Sequence, residues 1–459
     1  MSQSTIENQN VEVIVLAAGA GTRMQSGKAK VMHKLAGKPM LEHVLTLARA
    51  LLPQKIHIVY GHRADQLRAA FNEEDINWVE QAVQMGTGHA VRCVLAQLAP
   101  SCKVLVLYGD VPALLLEDVA PLVEHCNHKN ALGVLLAEVE NPKGYGRAII
   151  VDRHVVKIVE EKLANDAQRL IKHVNTGLIC AQSGQLAQWV TKLGCENAQN
   201  EYLLTDIFEM AAAEQSPAFF HVCKSAWRAF GANDAQQLAD LERRTQLDNA
   251  HNLMANGVRL ADPGRVDIRG VLITGMDVEI DANVIFEGNV ELANGVKIGP
   301  FNRIKNCKLA AGTIVHAHCD LENVVSEGAC EIGPFARLRP GTVLHEGSKI
   351  GNFVECKNAQ IGPASKVSHL SYVGDAVLGE RVNIGAGSIT CNYDGVNKHQ
   401  TRIADDVFVG SNSSLVAPLE IGAGATIGAG SVITSDAPDG QLTLSRSPQK
   451  TIINWRRPE

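Results

Sequence analysis

Between Val278 and Ile304 an aliphatic or aromatic residue returns at every sixth position: Ile280, Phe286, Leu292, Ile298 and Ile304. A second series, Val278, Val284, Val290 and Val296, keeps the same step two residues earlier. No helix repeats every six residues and a plain strand alternates every two, so the chain must turn a corner after each short strand. A parallel β-helix of hexapeptide repeats meets that requirement. The step resumes at Ile332, Leu338, Leu344 and Ile350, and again from Val409 through Leu415, Ile421 and Ile427 to Ile433. A sandwich of short strands would space its turns at about eight to twelve residues and lose the phase.

The first half is patterned differently. Apolar runs at Val13 to Leu16, Ile56 to Tyr60, Val104 to Tyr108 and Leu132 to Val139 alternate with helical-looking stretches. They predict an α/β domain with a largely parallel sheet, whose ligands sit beyond the strand C-termini. The first run leads into Ala17-Ala18-Gly19-Ala20-Gly21-Thr22-Arg23-Met24, a turn that lets backbone approach a phosphate or a base. It lacks the third glycine of a dinucleotide fingerprint and the Lys-Ser/Thr ending of a P-loop. From Asn233 to Asn256 there is no proline or glycine, and good helix formers dominate. A long helix is expected there, capped by Asn233 or Asp234, ended by Gly257, and packed on one domain through Leu238 and Leu241. The expected domains are 1–235, a linker helix 236–257, and 258–459.

Composition narrows the function. A net charge of -6 gives no reason to expect nucleic acid as a partner. The start has no signal-peptide pattern and no apolar run approaches the roughly 20 residues of a membrane span, so a cytoplasmic protein without membrane insertion is expected. Eleven cysteines without a C-x-x-C pair argue against a zinc site and for packed thiols.

Register arithmetic exposes candidate chemistry. In a three-sided coil, residues eighteen apart stack on successive turns. Arg339 and Lys357 are so spaced, and two stacked cations repel unless an anion such as phosphate lies between them. Ser411 and Ala429 are also eighteen apart, and Ala386 joins their column if Cys391 to Thr401 is an extruded loop of about seven extra residues. Such a column of small side chains leaves a shallow channel suited to an extended ligand. His369, near the corner that carries Lys357, has the side chain best suited to accept a proton near neutral pH. In the first half, Asp110 follows a strand end, where a carboxylate can hold magnesium among nucleotide phosphates. Taken singly, each has a bland explanation in a tight turn, a cap or a solvated charge.

Together the pieces resemble known families. LAAGAGTRM, Lys30-Val31-Met32-His33, Gln81 with Gly86-Thr87-Gly88-His89-Ala90, Tyr108-Gly109-Asp110, Gly144-Tyr145-Gly146-Arg147, Glu160 with Lys162, Asn175-Thr176-Gly177 and Asn233 resemble, in order, the sugar-1-phosphate nucleotidyltransferases. The resemblance implies a Rossmann-like nucleotidyltransferase domain. In it Ala18, Gly19, Gln81, Gly86 and Thr87 bind uracil, and Gly146, Glu160 and Asn175 contact the sugar. Asp110 and Asn233 hold Mg2+, Arg23 and Lys30 neutralise phosphate charge, and Leu16, Ala17, Tyr108 and Gly109 complete the UTP site. One departure is Ala29, where those enzymes usually have proline, which would leave Lys30 on a looser turn.

Phe335-Ala336-Arg337-Leu338-Arg339-Pro340-Gly341, Gly351-Asn352-Phe353-Val354-Glu355, Asn383-Ile384-Gly385-Ala386-Gly387 and Cys391-Asn392-Tyr393-Asp394-Gly395 resemble the left-handed β-helix acyltransferases. They look most like the bifunctional branch that carries both domains. That branch implies acetyl transfer from acetyl-CoA to glucosamine 1-phosphate, then uridyl transfer from UTP to N-acetylglucosamine 1-phosphate, supplying UDP-N-acetylglucosamine for the bacterial envelope. Carried over by residue, Arg339, Lys357, Tyr372 and Asn383 bind glucosamine phosphate, and His369 is the proton acceptor, oriented by Glu355. Ala386, Asn392, Tyr393, Ser411, Ala429 and Arg446 bind acetyl-CoA. The branch is homotrimeric, with each acetyltransferase site drawn from more than one chain. The alternative is a nucleotidyltransferase whose β-helix serves only oligomerisation or regulation.

Overall fold

The computed structural model describes residues 10–61, 63–127, 131–197 and 200–458. The chain divides into two compact units, 1–245 and 246–459.

In the first unit the strands are β1 (Val11–Leu16), β2 (Lys55–Tyr60), β3 (Ile76–Glu80), β4 (Lys103–Tyr108), β5 (Leu132–Glu138), β6 (Arg147–Val151), β7 (His154–Val159), β8 (His173–Gln182) and β9 (Phe219–Val222). The main sheet runs β9-β5-β8-β4-β1-β2-β3. Only β8 is antiparallel to its neighbours β4 and β5, while β6 and β7 form a hairpin on the edge of β8. Every residue of β1 is buried, as expected of a central strand covered on both faces. β1 lies between β4 and β2, so the order reverses at its C-terminus and opens a crevice there. Helices α1 (Met40–Ala50), α2 (Ala64–Ala70) and α3 (Thr87–Val94) follow β1, β2 and β3 in turn along the chain.

The long helix α4 spans Ala235–Ala255. Asp234 Oδ1 accepts Gln237 N–H at 2.8 Å, and Gly257, at φ 92°, follows the last turn. Leu241 packs with Leu35, Met40 and Ala232, and Leu238 lies against that cluster. The division between the units falls inside the helix. Gln246, the first residue of the second unit, is buried and pairs through both amide atoms with the backbone of Ile268 at 2.7 and 2.9 Å.

The second unit is a stack of two- to nine-residue strands paired in parallel, forming sheets of eleven and fifteen strands among the described residues. Its core is the sixfold series: Ile280, Phe286, Leu292, Ile298, Ile304, Ile332, Leu338, Leu344, Ile350, Val409, Leu415, Ile421, Ile427 and Ile433 are all buried. The earlier series from Val278 to Val296 points inward too. The eighteen-residue coil is not uniform. Lys297 pairs with Ile314 and Lys349 with Lys366, seventeen apart, because one side of those coils has five residues. Asn383 pairs with Phe408, twenty-five apart, because a loop is extruded between them.

At one corner Phe301, His318, Phe335 and Phe353 all adopt left-handed backbone, with φ between 57 and 62°. That conformation is uncommon for bulky residues. Their rings stack in a ladder with centroids 4.8, 4.8 and 5.2 Å apart, a compensation that the coil spacing itself supplies. The eleven cysteines are free, and eight of them are buried.

Candidate active sites

At the C-terminal end of β1, Leu16, Ala17, Ala18, Gly19, Lys30, Gln81, Gly86, Thr87, Tyr108, Asp110 and Asn233 line one cavity of about 380 Å³. Gly109 N–H donates to Leu16 O at 2.9 Å and fastens the β4 turn to β1. Gly21 is needed at its position, since a Cβ there would lie 2.8 Å from Lys30 Cβ. The Lys30 ammonium pairs with Asp110 and donates to Asn233 Oδ1 at 2.7 Å, so both expected metal ligands face a cation. Gln81 is buried and held by Gly86 O at 3.1 Å and His89 Nδ1 at 3.0 Å. At Gly86, φ is 95° and a Cβ would meet Tyr202 O at 2.7 Å, so no other residue fits this start of α3.

Gly146, Glu160 and Asn175 form a second cluster outside the cavity lining. Asn175 N–H donates to Gly146 O at 2.8 Å, and a Cβ on Gly146 would come 3.6 Å from each Glu160 carboxylate oxygen. Burial raises the Glu160 carboxyl above its ordinary range; Thr205 Oγ1, donating at 3.3 Å, opposes this. Tyr108 joins the clusters. Burial first, then the charges of Asp110 and Glu160, drives its phenol well above the usual range, and a bond to Thr87 partly offsets them. Arg23 is exposed on the turn Thr22–Met24 and is not among the residues that line the cavity. Gln84 and Glu201 also line the cavity and were not foreseen. Gln84 lies one loop step from Gln81, whereas Glu201 comes from a segment without any local signal.

On the β-helix, Arg337 pairs with Glu355 and Leu338 with Cys356, which puts Arg339 over Lys357. Arg339 N–H bonds Cys356 O at 2.8 Å, and its guanidinium meets Glu355 Oε1 at 2.9 Å. The Lys357 ammonium is held below its ordinary range, first by contact with Lys398, then by desolvation and by the charges of Lys398 and Arg339. Lys398 sits on the extruded loop, where Tyr393 and Lys398 form a bridge and Asp394 Oδ1 accepts the N–H groups of Val396 and Asn397 at 2.8 and 2.6 Å. No register rule reaches a loop outside the repeat, which is why Lys398 was missed. Tyr372 pairs with Glu355 on the same sheet, whereas Asn383 lies on the other sheet between Lys366 and Phe408.

Asn352 pairs in register with His369. The same alignment continues from Lys366–Asn383 to Phe408–Thr426, which stacks His369, Ala386, Ser411 and Ala429 in one column. Three cross-coil bonds trace it: Gly387 N to His369 O at 3.3 Å, Asn412 N to Ala386 O at 2.8 Å, and Gly430 N to Ser411 O at 2.8 Å. Arg446 closes the lower end by donating to Ala429 O at 2.8 Å. Asn392 is buried against Asp375, which also takes Asn358 Nδ2 at 2.6 Å, while Tyr393 is exposed.

The expectation that Glu355 orients His369 is replaced within this chain. Glu355 belongs to the sheet of Arg339 and turns toward that arginine, and Asn352 Oδ1 instead meets His369 Nδ1 at 2.6 Å. An amide oxygen only accepts, so Nδ1 is the donor in this bond, and in the neutral ring Nε2 is then the acceptor.

Residues 13–202 match the model of the MobA-like NTP transferase domain, and 400–435 match that of the bacterial transferase hexapeptide (six repeats). The chain is 52% identical over 452 residues to the Bifunctional protein GlmU of Stenotrophomonas maltophilia (strain K279a), covering 98% of this chain and 99% of that one. The chain belongs to the GlmU family. Identity is 51% over 451 residues to GlmU of Xylella fastidiosa (strain 9a5c) and 54% over 450 residues to that of Xanthomonas euvesicatoria pv. vesicatoria (strain 85-10), with 98% of each chain covered. The similarity to GlmU therefore runs through both units, and both clusters of candidate residues lie within it.

Proposed function

We propose that this chain is a two-step transferase of UDP-N-acetylglucosamine synthesis. The β-helical unit moves the acetyl group of acetyl-CoA to the amine of glucosamine 1-phosphate, and the α/β unit joins the product to UMP from UTP with release of pyrophosphate. The observation that carries the reading is the column that sets His369 at the head of Ala386, Ser411 and Ala429. It sets a side chain able to accept a proton beside a column of small residues, the arrangement an extended pantetheine arm would need and a β-helix used only as a scaffold would not.

In the first step the amine attacks the thioester carbonyl, the C–N bond forms and the C–S bond breaks. His369 Nε2 takes the amine proton, and the sulfur leaves with coenzyme A. Arg339 and Lys357 grip the phosphate, and Arg446 faces the anionic end of the cofactor. Tyr372 and Asn383 orient the sugar, while Asn392 and Tyr393 border the acetyl-CoA channel. In the second step a phosphate oxygen of N-acetylglucosamine 1-phosphate attacks the α-phosphorus of UTP, and the bond to pyrophosphate breaks. Positioning by Gln81, Thr87 and the backbone at Gly86 and neutralisation by Lys30 are the protein's contribution, while Arg23, outside the cavity lining, would reach the phosphates only from the exposed turn.

The reaction class is typically dependent on a divalent metal, and we propose Mg2+. The Asp110 carboxylate and Asn233 amide oxygen suit a hard cation that keeps most of its ligands from water and substrate phosphates. When bound, it would neutralise charge on the triphosphate. Among the described residues no group of three or more His, Cys, Asp or Glu could hold a metal by itself, and no helix is long and apolar enough to cross a membrane. We further propose a homotrimer working in the cytoplasm, where UTP and acetyl-CoA are made. The exposed ladder of Phe301, Phe335 and Phe353 supports self-association.

One experiment tests both halves. The protein is mixed with glucosamine 1-phosphate, acetyl-CoA, UTP and Mg2+, and free thiol and pyrophosphate are followed separately. His369→Ala is expected to abolish thiol release while uridyl transfer from supplied N-acetylglucosamine 1-phosphate persists, and Asp110→Ala to do the reverse. Full acetyl transfer by His369→Ala would remove its assignment.

A further inference from the structure

Residues 26–29 deliver Lys30 to the cavity, and two side chains near the start of α2 hold them from outside. Gln66 Oε1 accepts Ala29 N–H at 2.8 Å, and Gln66 Nε2 donates to Gly27 O at 3.0 Å. Arg63 Nη1 donates to the carbonyl oxygens of Ser26 and Lys28, each at 2.6 Å. Ala29 is 8% exposed, so without Gln66 its N–H would be a buried donor lacking a partner. Its φ of −59° is the value a proline ring imposes, near −65°, and its ψ of 141° is the extended value that proline readily accompanies. The alanine has no ring to impose that φ, yet residue 29 adopts it. Lys30 follows directly and opens a short helical turn, its Cβ seated over Gly21 and its ammonium between Asp110 and Asn233.

We propose that Gln66, assisted by Arg63, is a positioning residue for Lys30 in uridyl transfer. The amide clasp on residues 27 and 29 sets the backbone conformation that a proline at position 29 would set by itself. The inference rests on the role given to Lys30 above. It predicts a specific rescue, because a proline at 29 removes both the orphaned N–H and the rotational freedom that the clasp suppresses.

The test uses the full chain with UTP, N-acetylglucosamine 1-phosphate and Mg2+. Gln66→Ala is expected to lower kcat for pyrophosphate release about tenfold, within the roughly 10²-fold cost of a 1 Å misplacement. KM for UTP and acetyl transfer by the same preparation should stay unchanged. Adding Ala29→Pro to Gln66→Ala should restore most of the lost rate. Hydrogen exchange provides a readout independent of activity: amides of residues 26–30 should exchange faster in Gln66→Ala and regain protection in the double variant. A Gln66→Ala enzyme with unchanged kcat, or a double variant that recovers protection without recovering rate, would overturn the proposal. Lys30→Ala is measured in parallel. If it keeps full uridyl transfer, the role of the lysine falls, even where the exchange data show the clasp to be real.

Discussion

Replacing Lys357 by methionine should have opposite effects on the free and the liganded protein. In the free chain, Lys398, desolvation and Arg339 hold the Lys357 ammonium below its ordinary value of 10.5. A lysine with a lowered folded-state pKa gives its full stability contribution above its unfolded value and loses it as the pH falls through the folded value. At neutral pH the charged form is therefore disfavoured by folding, and three cations repel. Lys357→Met should leave the unliganded protein as stable as the parent or slightly more so. A sugar phosphate reverses the sign. One lost charge-assisted hydrogen bond costs about 1.5–3 kcal/mol, which is about ten- to 150-fold in Kd.

The assay pairs calorimetric titration of glucosamine 1-phosphate with thermal unfolding of the free protein, both at low ionic strength. Lys398→Met should behave like Lys357→Met but more weakly, because Lys398 is exposed on the loop and screened by salt. Arg339→Met should cost more, since it removes one phosphate-facing cation and leaves Glu355, now paired with it at 2.9 Å, with only the longer 3.9 Å pair to Arg337. Unchanged affinity in Lys357→Met would refute the stacked-cation argument. Equal losses for glucosamine and for its phosphate would refute it too, by showing that the lysine reads the sugar.

Two further outcomes follow from burial. A half-buried Glu160 with a raised pKa contributes stability below its ordinary value of 4.5 and loses it as the pH rises through the folded value. Glu160→Gln should therefore raise Tm near pH 7, with the gain vanishing near pH 4, while weakening N-acetylglucosamine 1-phosphate binding; a lower Tm at pH 7 would contradict the cause assigned to the shift. Phe286 lies in the solenoid core at 1% exposure. Phe286→Ala should cost about 3–5 kcal/mol in chemical denaturation, and a loss below about 1 kcal/mol would mean that neighbouring coils collapse into the space.

How much of this was legible depends on whether a position obeys a period. The β-helix was readable because every coil repeats one geometry, so a buried residue at step six implies the next. Spacing alone also stacked Arg339 on Lys357 and brought Ala386 into the Ser411 column through an extruded loop. The same arithmetic failed where one residue was dropped. A coil of seventeen shifts a column by one place and sets Asn352, not Gly351, beside His369, whereas Glu355, which the resemblance had put there, lies on the other sheet. The Phe301 to Phe353 ladder was invisible because corner residues lie outside both inward series.

In the α/β unit no period links distant positions. Pattern found the strands and the glycine turn, but the meeting of Lys30 with Asn233, 203 residues later, needed resemblance. Neither pattern nor resemblance could show that a glutamine on α2 replaces a ring constraint at residue 29, since that relation exists only once four backbone groups and two side chains share a place. A departure from a familiar motif is thus a question about its neighbours: the conformation the missing residue would have imposed is retained here because Gln66 and Arg63 impose it instead.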